Sequence, residues 1–166
     1  MNFWRFKGVL FVITIFNFIM DKIPKLKVVV VGDTGVGKTC LVDKYIDKSF
    51  KEDTNQTVVA GSSEVRVLVN DKYVNLNIWD TAGQERYRSM TRQFYRDSNI
   101  AFICFDYNVD DSVNNIDTWA NDIRSYVPDC ILYLVATKID LIRNDDDKIA
   151  KENELDDFLE RKLNDG

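Results

Sequence analysis

Two rhythms of apolar and polar residues run along this chain, and each change of rhythm marks a new element. Residues 26–31 (LKVVVV) are apolar almost without a break, which suits a strand buried on both faces of a parallel sheet. Over residues 38–47 the rhythm turns helical, with Leu41, Val42, Tyr45 and Ile46 on one face. Residues 49–61 show no period and read as a mobile loop. Val65, Val67 and Val69 then alternate with Glu64, Arg66 and Leu68, and Val74, Leu76 and Ile78 with Asn75 and Asn77. Asn70-Asp71 between them fits a tight hairpin turn, so these two strands pair antiparallel. Residues 100–106 and 130–136 read as further buried strands. Between them Val113, Ile116, Trp119, Ala120, Ile123 and Val127 line one face of a helix. Residues 144–153 are acidic and solvated, and Ile149, Leu155, Phe158, Leu159 and Leu163 suggest a last helix.

The first strand runs into Gly32-Asp33-Thr34-Gly35-Val36-Gly37-Lys38-Thr39, which fits G-x-x-x-x-G-K-[ST]. Gly32, Gly35 and Gly37 let the backbone curl until its N–H groups face one concave nest that takes phosphate oxygens. Lys38 brings a cation to the β- and γ-phosphates, and the Thr39 hydroxyl is a Mg²⁺ ligand. The helix that follows turns its positive end toward the same phosphates. A glycine-rich turn of no chemical use is the plain alternative. The strand, the full motif and the helix together argue for a bound nucleoside phosphate. Residues Asp33, Thr34, Gly35, Val36, Gly37, Lys38, Thr39 and Cys40 are its candidate contacts. Asp80, at the end of a later apolar strand, stands where a carboxylate holds Mg²⁺ through water. Gly83 lets a backbone N–H approach the γ-phosphate.

At 166 residues the chain suits one domain with one core. The net charge of −5 with no histidine excludes a His-based metal site or catalytic triad and disfavours a nucleic-acid surface. Cys40, Cys104 and Cys130 form no C-x-x-C and read as core thiols in a reducing compartment, the cytosol. Residues 1–23 stand apart: Arg5 and Lys7 precede a nearly continuous apolar run over 8–20. No small-residue cleavage site follows, and the run falls short of the roughly 20 residues that span a bilayer. Met20 itself looks like an ordinary start. Residues 1–19 thus read as non-native upstream sequence, as a membrane anchor, or as a packed element of the fold.

Several stretches together resemble a Ras-superfamily small GTPase, most like the Rab branch. They are the loop 32–39, the run WDTAGQERYRSMT over 79–91, Phe94-Tyr95-Arg96, Phe105-Asp106, Asp111-Ser112-Val113-Asn114-Asn115 and Trp119. The resemblance covers about residues 25–160. It implies an α/β fold, the three-layer P-loop NTPase architecture: a mostly parallel sheet with one antiparallel hairpin strand and helices on both faces. It divides the chain into an apolar extension, 1–23, and a G domain, 24–166. In the family a further strand, an S-A-K loop and a long final helix follow, so the expectation is an incomplete domain lacking its C-terminal strand and helix. No cysteine follows Cys130, so none is placed for prenylation.

The same resemblance implies GTP or GDP and Mg²⁺ as ligands, and slow GTP hydrolysis. Thr137-Lys138-Ile139-Asp140 matches the family's N-K-x-D, whose Asp accepts from guanine N1 and N2 and whose Lys stem lies along the base. Thr137 replaces the usual Asn, which implies a weaker tether to the phosphate loop. Phe50 would edge-stack the guanine, Thr57 would close on Mg²⁺ and the γ-phosphate, and Gln84 would orient the attacking water. Catalysis is thus assigned to Gln84, Lys38 and Thr57, and metal binding to Thr39, Thr57 and Asp80. No arginine finger is evident in the chain, and such a group is worth on the order of 10³–10⁵ in rate. Residues 50–61 and 83–95 would order and disorder with the γ-phosphate and meet an exchange factor, a GTPase-activating protein and effectors. The implied protein is a monomer on the cytosolic face of endomembranes. The family's T-I-G is Thr57-Val58-Val59 here, and Val59 crowds the γ-phosphate approach. A nucleotide- or effector-binding module that does not cycle, and an unstable truncated product, are the alternatives.

Overall fold

The structure is a computed structural model; it describes residues 3–6, 9–12, 25–48, 60–83, 92–142 and 153. The valine run forms the central strand β3 (Lys25–Val31), and its alternation serves two cores at once. Val29 and Val31 meet Ala101, Ile103 and Phe105 on one face, and Val28 and Val30 meet Val42, Val74 and Cys104 on the other. Strand β3 lies between β5 (Lys72–Asp80) and β6 (Ile100–Asp106), parallel to both, and β6 is parallel to β7 (Ile131–Thr137). Strand β4 (Gly61–Val69) pairs antiparallel with β5 from Gly61↔Asp80 to Val69↔Lys72. The expected hairpin therefore forms in the expected register. Asn70 and Asp71 both take positive φ, 47° and 61°, as a two-residue turn matched to strand twist requires.

Helix α1 (Lys38–Asp47) covers one face of the sheet with Val42 buried and Leu41 and Ile46 partly buried. Tyr45 departs from the expected face: it is 38% exposed, at the rim, with the Lys48 ammonium 5.5 Å from its ring centre. The single helix expected after β6 is two, α2 (Asp110–Asn114) and α3 (Ile116–Tyr126). They part at Asn115, whose side chain reaches across to Asp33. Helix α3 covers the opposite face through Ile116, Trp119 and Ile123, with Val113, Ala120 and Val127 packed beside them. Helices on both faces of a mostly parallel sheet make the three-layer α/β fold that the motifs imply. Strand β7 starts one residue later than the apolar run, because the Cys130 N–H closes a turn onto the Val127 carbonyl. Cys104 and Cys130 are buried thiols, and burial pushes them up to about 12 and about 11; Cys40 is only half-buried, at the helix surface.

The full sheet order is β1-β2-β7-β6-β3-β5-β4. Its first two strands, β1 (Phe3–Phe6) and β2 (Val9–Val12), come from the N-terminal extension and form an antiparallel hairpin. Strand β2 joins β7 antiparallel at Val9↔Thr137. Among the described residues no helix is long and apolar enough to cross a membrane. The stretch expected to form the last helix lies outside the described residues, apart from Asn153, which is helical and exposed.

Candidate functional site

Four parallel strands end at one edge of the sheet, and each delivers a polar group there: β3 the glycine loop, β5 Asp80, β6 Asp106 and β7 Thr137. Ligands of such sheets bind where neighbouring strands send their chains to opposite faces. Here that point lies between β3, which leads to α1, and β6, which leads to α3.

The loop between β3 and α1 is held tightly. Gly32 has φ 138°, and a Cβ there would collide with the Cys104 carbonyl oxygen, so only glycine lets the loop leave the sheet along this path. Val36 is buried. Thr34 and Gly35 are exposed, and Asp33, Gly37, Thr39 and Cys40 are intermediate. Lys38 opens α1 but is 5% exposed. Its Nζ donates to the carbonyls of Gly32, at 2.9 Å, and Asp33, at 2.7 Å. Burial lowers the Lys38 pKa, while Cys104, Asp80 and Asp33 pull against that shift. A buried ammonium costs several kcal/mol unless acceptors surround it, and here backbone carbonyls do so.

The Thr39 hydroxyl donates to Asp80 Oδ2 at 2.6 Å. Asp80 is 8% exposed, and its Oδ1 is buried with no hydrogen-bond partner. Burial raises the Asp80 pKa, against the Thr39 hydrogen bond and the Lys38 charge. A buried carboxylate oxygen left unmatched beside a hydroxyl and an ammonium fits a site that completes itself with a hard cation. The residues present therefore suit Mg²⁺. Gly83 closes this corner: a Cβ on it would run into Lys38 Nζ and the Asp33 carbonyl.

Next to the loop, Thr137 is 3% exposed, and its hydroxyl lies 2.6 Å from the Val36 carbonyl and 2.9 Å from that of Phe105. The tether from this strand end to the phosphate loop is thus made, by a hydroxyl in place of an amide. Lys138 has φ 57° and pairs through Nζ with Asp106 Oδ2 at 2.9 Å. The Asn108 side-chain amide donates to the Lys138 carbonyl at 2.9 Å and to Asp106 Oδ1 at 3.2 Å. Burial works to raise the Asp106 pKa, but hydrogen bonds from Lys138 and Asn108 outweigh it and hold the carboxyl below its ordinary range. Asp140 follows, exposed, in a 3₁₀ turn over Ile139–Leu141.

Lys38, Thr39, Asp80, Gly83, Thr137, Lys138 and the loop residues are thus brought to one edge. Phe50, Thr57 and Gln84 lie outside the described residues. Sequence reasoning gave no role to Thr81, Asn108 or Asp106. Thr81 is fully buried and donates from Oγ to the Val30 carbonyl at 2.7 Å, fixing the chain just after Asp80 to β3. An acid at the end of an apolar strand, Phe105-Asp106, was the available signal for the second cluster. The contact partners of Asp33 were also missed: its carboxylate accepts from Trp119 Nε1 and from Asn115 Nδ2, each at 2.9 Å.

A profile of the Ras family matches residues 27–161. Similar proteins include Ras-related protein Rab-24 of Dictyostelium discoideum, 40% identical over 130 residues, which are 78% of this chain and 64% of that protein. Ras-related protein Rab-26 of Rattus norvegicus is 40% identical over 148 residues, 84% of this chain and 57% of the relative. Ras-related protein Rab-4A of Mus musculus is 38% identical over 136 residues, 78% and 62% of the two chains. The chain spans less than two thirds of the length of each of these relatives. A glycine loop, a strand-end Asp and a T-K-x-D turn meet at one edge of the sheet, and the profile match covers most of the chain: it belongs to the Ras family and is Rab-like.

Proposed function

We propose that this chain is a guanine-nucleotide-dependent switch that takes GTP or GDP with Mg²⁺, hydrolyses GTP slowly and serves vesicle trafficking on the cytosolic face of endomembranes. The observation that carries this reading is the buried Lys38 ammonium beside Asp80, whose Oδ1 is left without a protein partner. Such a pair is costly by itself and becomes useful when phosphate oxygens and a cation complete it. Thr39 and Asp80 would hold Mg²⁺, joined by Thr57. Mg²⁺, when bound, neutralises charge on the phosphate oxygens. Lys38 holds the β- and γ-phosphates in position, and the N–H groups of 33–40 cradle them. Gly83 gives a backbone N–H room beside the γ-phosphate, and Gln84 orients the water that attacks it. Asp140 selects guanine through its two acceptor oxygens, which adenine cannot match. Lys138 and Phe50 flank the base. Residues 24–166 form the G domain, and residues 50–61 and 83–95 meet exchange factor, activating protein and effectors.

Displacement of a fluorescent mant-GDP by GDP, GTP and ATP, with and without EDTA, tests the reading. Guanine nucleotides should compete and ATP should not, and EDTA should weaken binding. Equal competition by ATP overturns the assignment of Asp140. A second reading, nucleotide binding without cycling, is favoured by Val59 in place of the family's glycine. Single-turnover hydrolysis of bound GTP separates the two.

A further inference from the structure

The phosphate loop is gripped from a side that plays no part in holding phosphate. Trp119 is 2% exposed, so its indole N–H is shut off from water and is costly unless it meets an acceptor inside the protein. The acceptor is Asp33 Oδ1, at 2.9 Å, and Asn115 Nδ2 takes the other oxygen at the same distance. Both donors belong to one structural unit, since Asn115 precedes the first residue of α3 and Trp119 follows one turn later. That unit is itself fixed. Ile116 and Ile123 bury it against the sheet, and Asp122 ties its far turn to Arg92 through contacts of 3.0 Å and 2.8 Å. The main chain of Asp33 meanwhile seats the ammonium, because its carbonyl accepts from Lys38 Nζ at 2.7 Å. One residue therefore joins α3, through its side chain, to the Lys38 seat, through its carbonyl.

We propose that Asp33 is a positioning residue: α3 clamps its carboxylate through Trp119 and Asn115, and this holds the phosphate loop and Lys38 in the geometry that retains nucleotide. The clamp rests on the nucleotide reading above. It makes a claim opposite in sign to simple electrostatics. A carboxylate near phosphates repels them, so on charge alone its removal should tighten binding. As a clamp, its removal should loosen binding.

The test is the rate of mant-GDP release from the full chain carrying Asp33→Ala, Asp33→Asn or Trp119→Phe, read beside the indole N–H resonances in a ¹H–¹⁵N spectrum. Losing a hydrogen bond to a charged, half-buried group should speed release about five- to tenfold in Asp33→Ala and in Trp119→Phe. The double variant should release no faster than Asp33→Ala, since each change removes the same contact. Asp33→Asn keeps an acceptor for the indole, and an amide flip of the exposed Asn115 keeps the second contact. It should stay within about threefold of the parent chain. The Trp119 indole signal, identified by its loss in Trp119→Phe, should move in Asp33→Ala and hold in Asp33→Asn. Slower release in both Asp33 variants, or unchanged release in all three, overturns the clamp while leaving the nucleotide reading intact. A parent chain that takes up no mant-GDP overturns the nucleotide reading instead. The indole resonance then decides the contact, and a signal unmoved in Asp33→Ala refutes it.

Discussion

Thr137→Val is the sharpest probe of how the strand end that carries the T-K-x-D turn is fastened to the glycine loop. Valine keeps the branched shape of threonine at a site 3% exposed, so packing changes little and the hydroxyl is what is lost. That hydroxyl sits 2.6 Å from the Val36 carbonyl and 2.9 Å from the Phe105 carbonyl. It has one proton, and the shorter contact to Val36 spans 101 residues of sequence. Removing the donor strands a buried acceptor, which costs about 1–3 kcal/mol. In a domain of this size that is a fall in Tm of roughly 2–12 °C. Nucleotide release should quicken about fivefold or more, since the freed carbonyl belongs to the loop proposed to bind phosphate. Thr137→Ser keeps the donor and should stay within about threefold of the parent. Thr137→Asn restores the family's amide and should release no faster than the parent. Differential scanning fluorimetry and mant-GDP release give the two numbers. A Thr137→Val chain that melts within about 1 °C of the parent and releases nucleotide within about twofold would show that the tether carries no weight.

Four further outcomes follow from the site and the fold. Asp140→Asn should shift preference from guanine toward xanthine nucleotides, because an acceptor pair becomes a donor–acceptor pair; unchanged guanine affinity in a competition assay would misplace the base. Gln84→Leu should keep GTP binding and lose most stimulated hydrolysis, while Thr39→Asn should favour GDP or the empty state; equal loss of GTP affinity in both would contradict their separate roles. The Asp106 carboxyl titrates lower in the folded chain than in the unfolded one, so its contribution is complete above the unfolded value of about 3.9 and fades as pH falls through the folded value. Asp106→Asn should therefore flatten the acid limb of the stability–pH curve below about pH 4, and an unchanged limb in acid titration would count against the Lys138 pairing. Deleting residues 1–19 should leave a cooperative melt and GDP binding, because among the described residues β2 is registered with β7 at Val9↔Thr137 alone; a deletion that abolishes folding would make the hairpin part of the core.

The strands were legible wherever burial alone dictates the residue. The valine run, the alternation of 65–69 and 74–78 and the Asn70-Asp71 turn all lie where the pattern puts them, since period and turn chemistry are local facts. Tyr45 was misjudged because helical spacing names a face but not its width, and the rim of the face is wet. The break at Asn115 was hidden because its cause, the Asp33 carboxylate, lies 82 residues away. The β1–β2 hairpin was also hidden: an apolar run of that length carries no period that tells strand from helix. In the site, the glycines, Lys38, Thr39 and Asp80 announced themselves by spacing. Thr81, Asn108 and Asp106 did not, because their work is to hold main chain and side chains in place, and any sequence offers many such residues.

Three acids crowd the same sheet edge, and their hydrogen bonds decide which of them can meet a cation. Both oxygens of Asp33 accept from α3 and its preceding residue. Asp106 has one oxygen on Lys138 and the other on Asn108. Asp80 has Thr39 on one oxygen, and the other is buried with no hydrogen-bond partner. Each buried carboxylate oxygen left unmatched costs about as much as a lost hydrogen bond or more, and among these three acids only Asp80 carries one. Asp33 and Asp106 are committed to the protein, one holding the phosphate loop and the other the T-K-x-D turn. Asp80 alone among the three keeps capacity in reserve, and it does so 2.6 Å from the hydroxyl of Thr39 and within the field of Lys38. With both oxygens of Asp33 and of Asp106 committed to internal donors, Asp80 Oδ1 is the one carboxylate oxygen of the three still open, and it suits a cation that arrives with the phosphates.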